Sequence, residues 1–98
     1  MEDIFVTMHV KQRRFEINIV DDIGYLEYRW YQEDIPFMHT FIPEAGRGKG
    51  HSAALAKTAL EYAKSKTLKI TVYCPFVSKC IKLHPEYTVL IKGKFAGR

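Results

Sequence analysis

The stretch "PEAGRGKGHSAALAKTALEYAK" covers residues 43–64, and its reading decides the fold. Residues 46–50 hold three glycines and two cations, Arg47 and Lys49. The hydrophobic period then changes at once. From residue 52 to 66, Leu55, Ala59, Tyr62 and Ala63 recur at i, i+4, i+7 and i+8, and Ala56 and Leu60 widen the stripe. That spacing predicts an amphipathic helix. Five alanines in the run favour helix intrinsically. Lys57 and Glu61 form a weak supporting pair four residues apart. Lys64 and Lys66 suit the negative end of the helix dipole.

A glycine-rich loop that opens a helix can turn several backbone N–H groups into one concavity. The helix N-terminus adds partial positive charge, and the two together bind phosphate. Glycines let the ligand approach without a Cβ in the way. Two well-known phosphate loops do not fit. A P-loop needs GxxxxGK[ST], but Gly46 is followed five positions later by His51, and Lys49 is followed by Gly50. A dinucleotide fingerprint needs GxGxxG early in a βαβ unit; the spacing here is GxGxG and comes after a run of strands.

Those strands occupy the first 42 residues. "RFEINIV" alternates Phe15, Ile17 and Ile19 against Glu16 and Asn18. "YLEYRWY" sets Leu26, Tyr28 and Trp30 against Glu27 and Arg29. "FMHTFI" places His39 between Met38 and Thr40 in a run of β-formers. Period-two alternation of this kind marks half-buried strands. "IFVTMHV" supplies a further strand near the start. "DDIG" and "QEDIP" read as turns, so the strands form an antiparallel meander. After the helix, "LKITVYC" is a short strand that Pro75 ends. "FVSKCIKL" is a short second helix, "HPEY" a turn and "TVLI" a last strand. By strand phase Cys74 shares a face with Leu68, Ile70 and Val72. The fold class is therefore α+β, an α/β sandwich with helices over a mixed sheet.

At 98 residues the chain is expected to be a single domain spanning 1–98. Its 47% hydrophobic content, with six Tyr and six Phe, points to a folded chain rather than a disordered tail. The net charge of +4 fits an anionic partner. The cations are scattered, however, so a nucleic-acid partner is disfavoured. Cys74 and Cys80 are too few and too oddly spaced for a disulfide framework or a zinc pair, and no metal is expected. The segment "MEDIFVTMHV" lacks the basic start and long apolar run of a secretory leader. No apolar stretch approaches the ~18 residues of a membrane span. A reduced, soluble, cytoplasmic monomer is the expectation.

The order of elements, with Arg47-Gly48-Lys49-Gly50-His51-Ser52 opening the long helix, resembles the GNAT superfamily of acyl-coenzyme A-dependent N-acetyltransferases. Their signature is [Gln/Arg]-x-x-Gly-x-[Gly/Ala]; Ser52 departs from it but is small. "HTFIPEAGRGKGHSAAL", "ALEYAKSKTLKITVYCPFV" and "HPEY", in that order, further resemble a compact subgroup, the YjdJ-like or N-acetyltransferase-domain-containing-protein-1-like family. The resemblance implies a minimal GNAT fold. It also implies acetyl-coenzyme A as cofactor and transfer of its acetyl group to an amine-bearing acceptor, a peptide, protein or small molecule.

It further implies a site. Arg47, Gly48, Lys49, Gly50, His51 and Ser52 would cradle the pyrophosphate. Phe41 and Ile42 would flank the pantetheine arm, and Cys74, Pro75 and Phe76 would lie near the thioester. Cys74 is the candidate nucleophile and His39 the candidate general base. By helix phase Cys80 packs. Two positions depart from the subgroup: its Glu two residues after the strand His is Phe41 here, and a common Tyr is Cys80. Those departures keep open the alternative of a coenzyme A-binding module with weak or no transferase activity.

Overall fold

The computed structural model describes residues 5–19, 21–32 and 34–91. Four antiparallel strands follow one another along the chain: β1 (Val6–His9), β2 (Arg14–Ile19), β3 (Asp22–Tyr28) and β4 (Asp34–Phe41). Helix α1 (His51–Ser65) then crosses over to β5 (Lys69–Val72), which pairs parallel to β4. Helix α2 (Pro75–Leu83) follows, and a 3-10 segment (Pro85–Leu90) closes the described chain. Sheet order equals chain order. The mixed sheet with helices is the α+β architecture that the sequence predicts.

Both helices pack together and onto the sheet. Phe15, Ile17, Ile19, Leu26, Tyr28, Ile35 and Phe37 face Leu55, Ala56, Ala59, Leu60 and Ala63 of α1 in one core. The predicted helical stripe is therefore the buried stripe. The small alanines let α1 approach the sheet, and the strands supply the bulk. Hydrophobic burial of this kind is the main driving force for the fold.

The opposite sheet face is polar. Thr7, His9, Arg14, Glu16 and Tyr25 project there, in register across β1, β2 and β3. Glu16 is bridged by Arg14 at 2.7 Å and His9 at 3.2 Å. The Arg14 guanidinium lies 4.8 Å above the Tyr25 ring. Among the described residues, no helix is long and apolar enough to cross a membrane.

Several elements differ from the sequence reading. Residues 22–24, expected within a turn, already pair with residues 17–19, so the β2–β3 connection is tighter. Val20, the last residue of the expected "RFEINIV" strand, lies outside the described residues. Strand β4 starts inside the expected "QEDIP" turn. Pro36 is tolerated because its carbonyl, not its nitrogen, serves the ladder: it accepts the Arg29 N–H at 3.0 Å. β3 stops at Tyr28, so Trp30 sits beyond the strand and is 43% exposed. "TVLI" is not a regular strand: Thr88 to Leu90 coil as 3-10, and only Ile91 bridges to Ile70.

A further difference sets up the functional region. Tyr28 pairs with Phe37 but Glu27 pairs with His39, so Met38 is an extra residue in β4. This β-bulge inverts the alternation. Before it, Ile35 and Phe37 face the helices; after it, Ile42 and Thr40 do, while His39 and Phe41 turn out to solvent.

The 3-10 segment is held to α1 through Tyr87, whose hydroxyl donates to Glu61 Oε2 at 2.5 Å. Burial is the main cause that pushes the Tyr87 phenol up, and the hydrogen bond to Glu61 adds to it. Tyr28 is also pushed up, chiefly by burial and then by Tyr62, with Arg13 opposing. The folded chain thus holds both phenolic protons more tightly than the unfolded chain does. Their stabilisation is complete below the ordinary tyrosine value of about 10 and is lost as pH rises above it. Tyr87→Phe should cost about 1 kcal/mol at neutral pH and flatten the alkaline loss of stability. Urea unfolding at neutral pH and near pH 10.5 checks this; an unchanged alkaline slope would count against it.

Candidate functional site

The chain leaves β4 through Ile42 and Pro43 and makes one 3-10 turn (Glu44–Gly46). Gly46 is pressed against β2: a Cβ there would lie 2.7 Å from Ile19 Cδ1 and 2.8 Å from Ile19 Cγ2. Its carbonyl accepts a 2.9 Å hydrogen bond from His51 Nδ1. His51 is buried, and this bond places its proton on Nδ1 in the neutral ring. Arg47 Nε donates to the Ile42 carbonyl at 3.2 Å. These two side chains tie the loop back onto its own ends.

Gly48 and Gly50 both have positive φ, 75° and 84°. Gly50 is the left-handed N-cap of α1 and supplies no side chain to cap it. The first helical bond runs from Ala54 N–H to the Gly50 carbonyl at 3.0 Å. The amides of His51, Ser52 and Ala53 thus precede the helical ladder, as the first amides of any helix do. The first turn of α1 holds no acidic residue. A cleft of about 450 Å³ opens over this helix end, lined by Thr40, Phe41, Ile42, Gly46, Arg47, Gly48, Gly50, His51, Ser52 and Phe76.

The other wall comes from a parting of strands. β4 and β5 pair only from Asp34↔Lys69 to Phe37↔Val72, with one more bond from Tyr73 N–H to the Phe37 carbonyl at 3.0 Å. Beyond that, β4 runs on to Phe41, whereas the segment after β5 turns at Cys74 into α2. Pro75 suits the first turn of that helix, where no backbone donor is needed. Across the parting, Cys74 Sγ lies 3.1 Å from Thr40 Oγ1. Cys74 is fully buried.

A second groove of about 270 Å³ runs between α1 and α2 and shares Ser52 and Phe76 with the first. Lys57, Lys79 and His84 line it, with Cys80 and Leu83. Burial pushes the Cys80 thiol up, Lys57 opposes that, and Glu86 adds to it. Cys80 is buried at the helix interface, as its helix phase predicts.

Most of the residues that the resemblance assigns to the cofactor meet in the first cleft: Phe41, Ile42, Arg47, Gly48, Gly50, His51 and Ser52, with Phe76 from across the parting. Lys49 and Pro75 are exposed nearby but do not line it. Cys74 adjoins it through Thr40. His39 is on the other sheet face, 3.4 Å from Glu27 Oε1 and packed edge-on against Tyr25. The two candidate catalytic residues thus stand on opposite faces. Sequence reasoning missed Thr40, Gly46 and the loop-closing role of His51. Thr40 was hidden by the bulge, which no hydrophobic pattern announces. Among the described residues, no three His, Cys, Asp or Glu side chains converge as metal ligands would.

A mixed sheet whose fourth and fifth strands part over a glycine loop, with that loop opening a long helix, defines a class. The chain belongs to the GCN5-related N-acetyltransferase family, whose model matches residues 14–90. It is similar to mouse (Mus musculus) Protein NATD1, with 33% identity over 81 residues, covering 79% of this chain and 74% of that protein. Protein NATD1 of Danio rerio is 32% identical over 82 residues, again covering 79% and 74%. In three dimensions the chain resembles the NMR solution structure of a GCN5-like protein from Staphylococcus aureus. The TM-score is 0.66 at 23% identity, over 98% of this chain and 95% of that one.

The close approach of Gly46 yields a test. Gly46→Ala should destabilise by about 1–3 kcal/mol, because Ile19 must move from a packed position. For a domain of this size that is a Tm fall of at least about 4 °C. An unaltered Tm would show that the loop is free to lift from β2.

Proposed function

We propose that the chain binds acetyl-coenzyme A in the cleft over α1 and transfers its acetyl group to an amine. The observation that carries this reading is the helix start itself. Three amides precede the helical ladder, the N-cap glycine is left-handed, and a cleft opens above them. That is the arrangement an anion selects. A pyrophosphate would sit against Gly48, Gly50, His51 and Ser52, with Arg47 and Lys49 supplying positive charge. Lys57 and Lys79 in the adjoining groove would meet the phosphorylated ribose end. The pantetheine arm would follow the parting between Ile42 and Phe76 and bring its thioester to Thr40 and Cys74.

In this reading Cys74 is the nucleophile. Its sulfur attacks the acetyl carbonyl carbon, the carbon–sulfur bond to coenzyme A breaks, and the leaving thiolate takes up the thiol proton. The amine then attacks the acetyl-cysteine carbonyl, releases the Cys74 sulfur and gives up its own proton. Thr40 Oγ1, 3.1 Å from Sγ, orients the sulfur throughout. The proton that the amine gives up would go to the freed Cys74 sulfur or, where the acceptor spans the parting from the outer face, to His39 beside Glu27.

One observation favours a coenzyme A-binding module instead: among the described residues no carboxylate lines the cleft, and Phe41 stands where the resemblance implies a Glu. Binding and turnover separate the two readings.

Binding comes first. Coenzyme A at one hundred times its Kd should add about 2.7 kcal/mol, a Tm rise of roughly 10 to 20 °C for a domain this size. ATP should do less, and Gly50→Val should abolish the rise measured against its own unliganded Tm. No shift at millimolar coenzyme A would retire both readings. Turnover comes second. Cys74→Ala should stop transfer and prevent an acetyl adduct seen by intact-protein mass spectrometry. An active Cys74→Ala, or no adduct in the parent, would leave direct attack by the amine. His39→Gln should change the kcat/KM profile between about pH 6 and 9; an identical profile would take His39 out of the mechanism.

A further inference from the structure

The two edges of the sheet are finished differently. At one edge β5 is covered: Ile91 bridges to Ile70, and Lys69 Nζ donates to the Val89 carbonyl at 3.0 Å. At the other edge lies β1, and among the described residues nothing pairs with its outer side. Proteins usually guard such an edge with a charge, a proline or a bulge. Residues 6–9, Val-Thr-Met-His, hold no proline, lysine, arginine or carboxylate, and their register with β2 runs without a shift. The neighbouring bonds show which backbone groups are unused. The Tyr28 N–H donates to the Arg13 carbonyl at 2.9 Å, so that carbonyl points to β3. A trans peptide turns the next N–H the opposite way, so Arg14 serves β1. Its partner His9, and Thr7 two residues earlier, therefore bond to β2. The N–H and C=O groups of Val6 and Met8 point outward from the sheet.

We propose that this edge pairs with the same edge of a second copy of the chain, antiparallel about a two-fold axis at Thr7, so that two five-stranded sheets join into one. The sequence alone leads to a monomer; the edge geometry leads to a weak dimer. An axis at Thr7 sets Val6 opposite Met8 of the second copy. Those are the residues with outward groups, so each such pair exchanges both of its ladder hydrogen bonds. The side chains agree with that register. Val6 and Met8 lie on the helix side, partly buried against the core, and each covers the other's open flank. On the outer face Thr7 meets its twin, and Phe5, 75% exposed, comes opposite His9. The nearby carboxylate of Glu16 is already held by Arg14 and His9. Charge selects a second copy in this direction. In sequence Glu2 and Asp3 precede the strand, and Lys11 and Arg13 follow it. Antiparallel pairing brings the start of one strand to the end of the other, so unlike charges approach. So short an edge belongs with small, transient interfaces, below about 1,200 Å². β1 is at the far edge from the parting of β4 and β5, so the cleft over α1 stays open in the pair, and the pairing does not rest on the transferase reading.

Sedimentation equilibrium of the full chain, from micromolar to millimolar concentration, tests this. The average mass should climb from one chain towards two. Thr7→Lys sets two ammonium groups face to face on the axis. Thr7 is exposed, so the monomer should keep its Tm while the dimer dissociation constant rises about fivefold or more. Thr7→Cys gives a second readout. A non-hydrogen-bonded antiparallel pair holds its Cα atoms about 4.5 Å apart, within the ~4.4–6.8 Å that a disulfide spans. With oxidised glutathione this variant should form a covalent dimer far faster than Val10→Cys, another exposed position, which the register sets well away from its twin. Cys74 and Cys80 are buried and do not compete. A mass that stays at one chain up to millimolar concentration overturns the proposal, whether the edge is bare or is covered by residues 92–98 of the same chain. So does a dimer indifferent to Thr7→Lys, or one that crosslinks as readily through Val10→Cys, since either would be joined through another surface.

Discussion

Met38 is one residue more than β3 can pair, and the functional region depends on that excess. Tyr28 lies opposite Phe37 and Glu27 opposite His39. Without the extra residue, the alternation of β4 would continue unbroken. Thr40 and Ile42 would then point to solvent, and His39 and Phe41 would enter the helix side. The bulge turns Thr40 inward to Cys74 and leaves His39 beside Glu27. It also bends β4 just where its pairing with β5 ends, since a bulge increases local twist. One irregularity thereby opens the sheet and decides which side chains face each opening.

The loop over α1 is held by contacts that a side chain would spoil. Gly46 touches Ile19, His51 closes on the Gly46 carbonyl, and Arg47 closes on Ile42. The backbone amides are thus set in place before any ligand arrives. Preorganisation of this kind lowers the ordering cost of binding. The opposite face is built differently. It uses ion pairs around Glu16 and Glu27 rather than an apolar layer. The pairs of Glu27 are partly exposed, and pairs of that sort add little stability, whereas Glu16 is itself buried between Arg14 and His9. Their effect is to keep one face of a small sheet soluble while the other carries the core.

The sequence was most legible where one period ran unbroken. The stripe of Leu55, Ala59 and Ala63 announced α1 and its buried side, and alternation in β2 announced Phe15, Ile17 and Ile19. The glycine loop was legible because its residues are special to backbone geometry. What stayed hidden came from register and from long-range partners. The bulge exchanged the faces of His39 and Thr40 with no change in composition. Trp30 continued the pattern of Leu26 and Tyr28 in sequence, yet β3 had already ended. "TVLI" has strand propensity, but apart from the Ile91 bridge to Ile70 its residues coil as 3-10. His51 gave no sign that it would clasp Gly46, because that bond needs the turn to be formed first.

The sheet order bears on how the protein assembles. Strands β1 to β4 are neighbours both in the chain and in the sheet, so they can zip up one hairpin after another. β5 is different: it reaches β4 only after the chain has travelled through the glycine loop and the whole of α1. Parallel pairing of this kind is closed late, because its loop entropy is lost before its contacts are made. The glycine loop lies inside that late crossover. A ligand held there would stabilise contacts absent from the folding transition state, and so would slow unfolding while leaving the folding rate nearly unchanged. In a chevron plot only the unfolding arm would drop. An equal rise of the folding arm would mean instead that the crossover forms early.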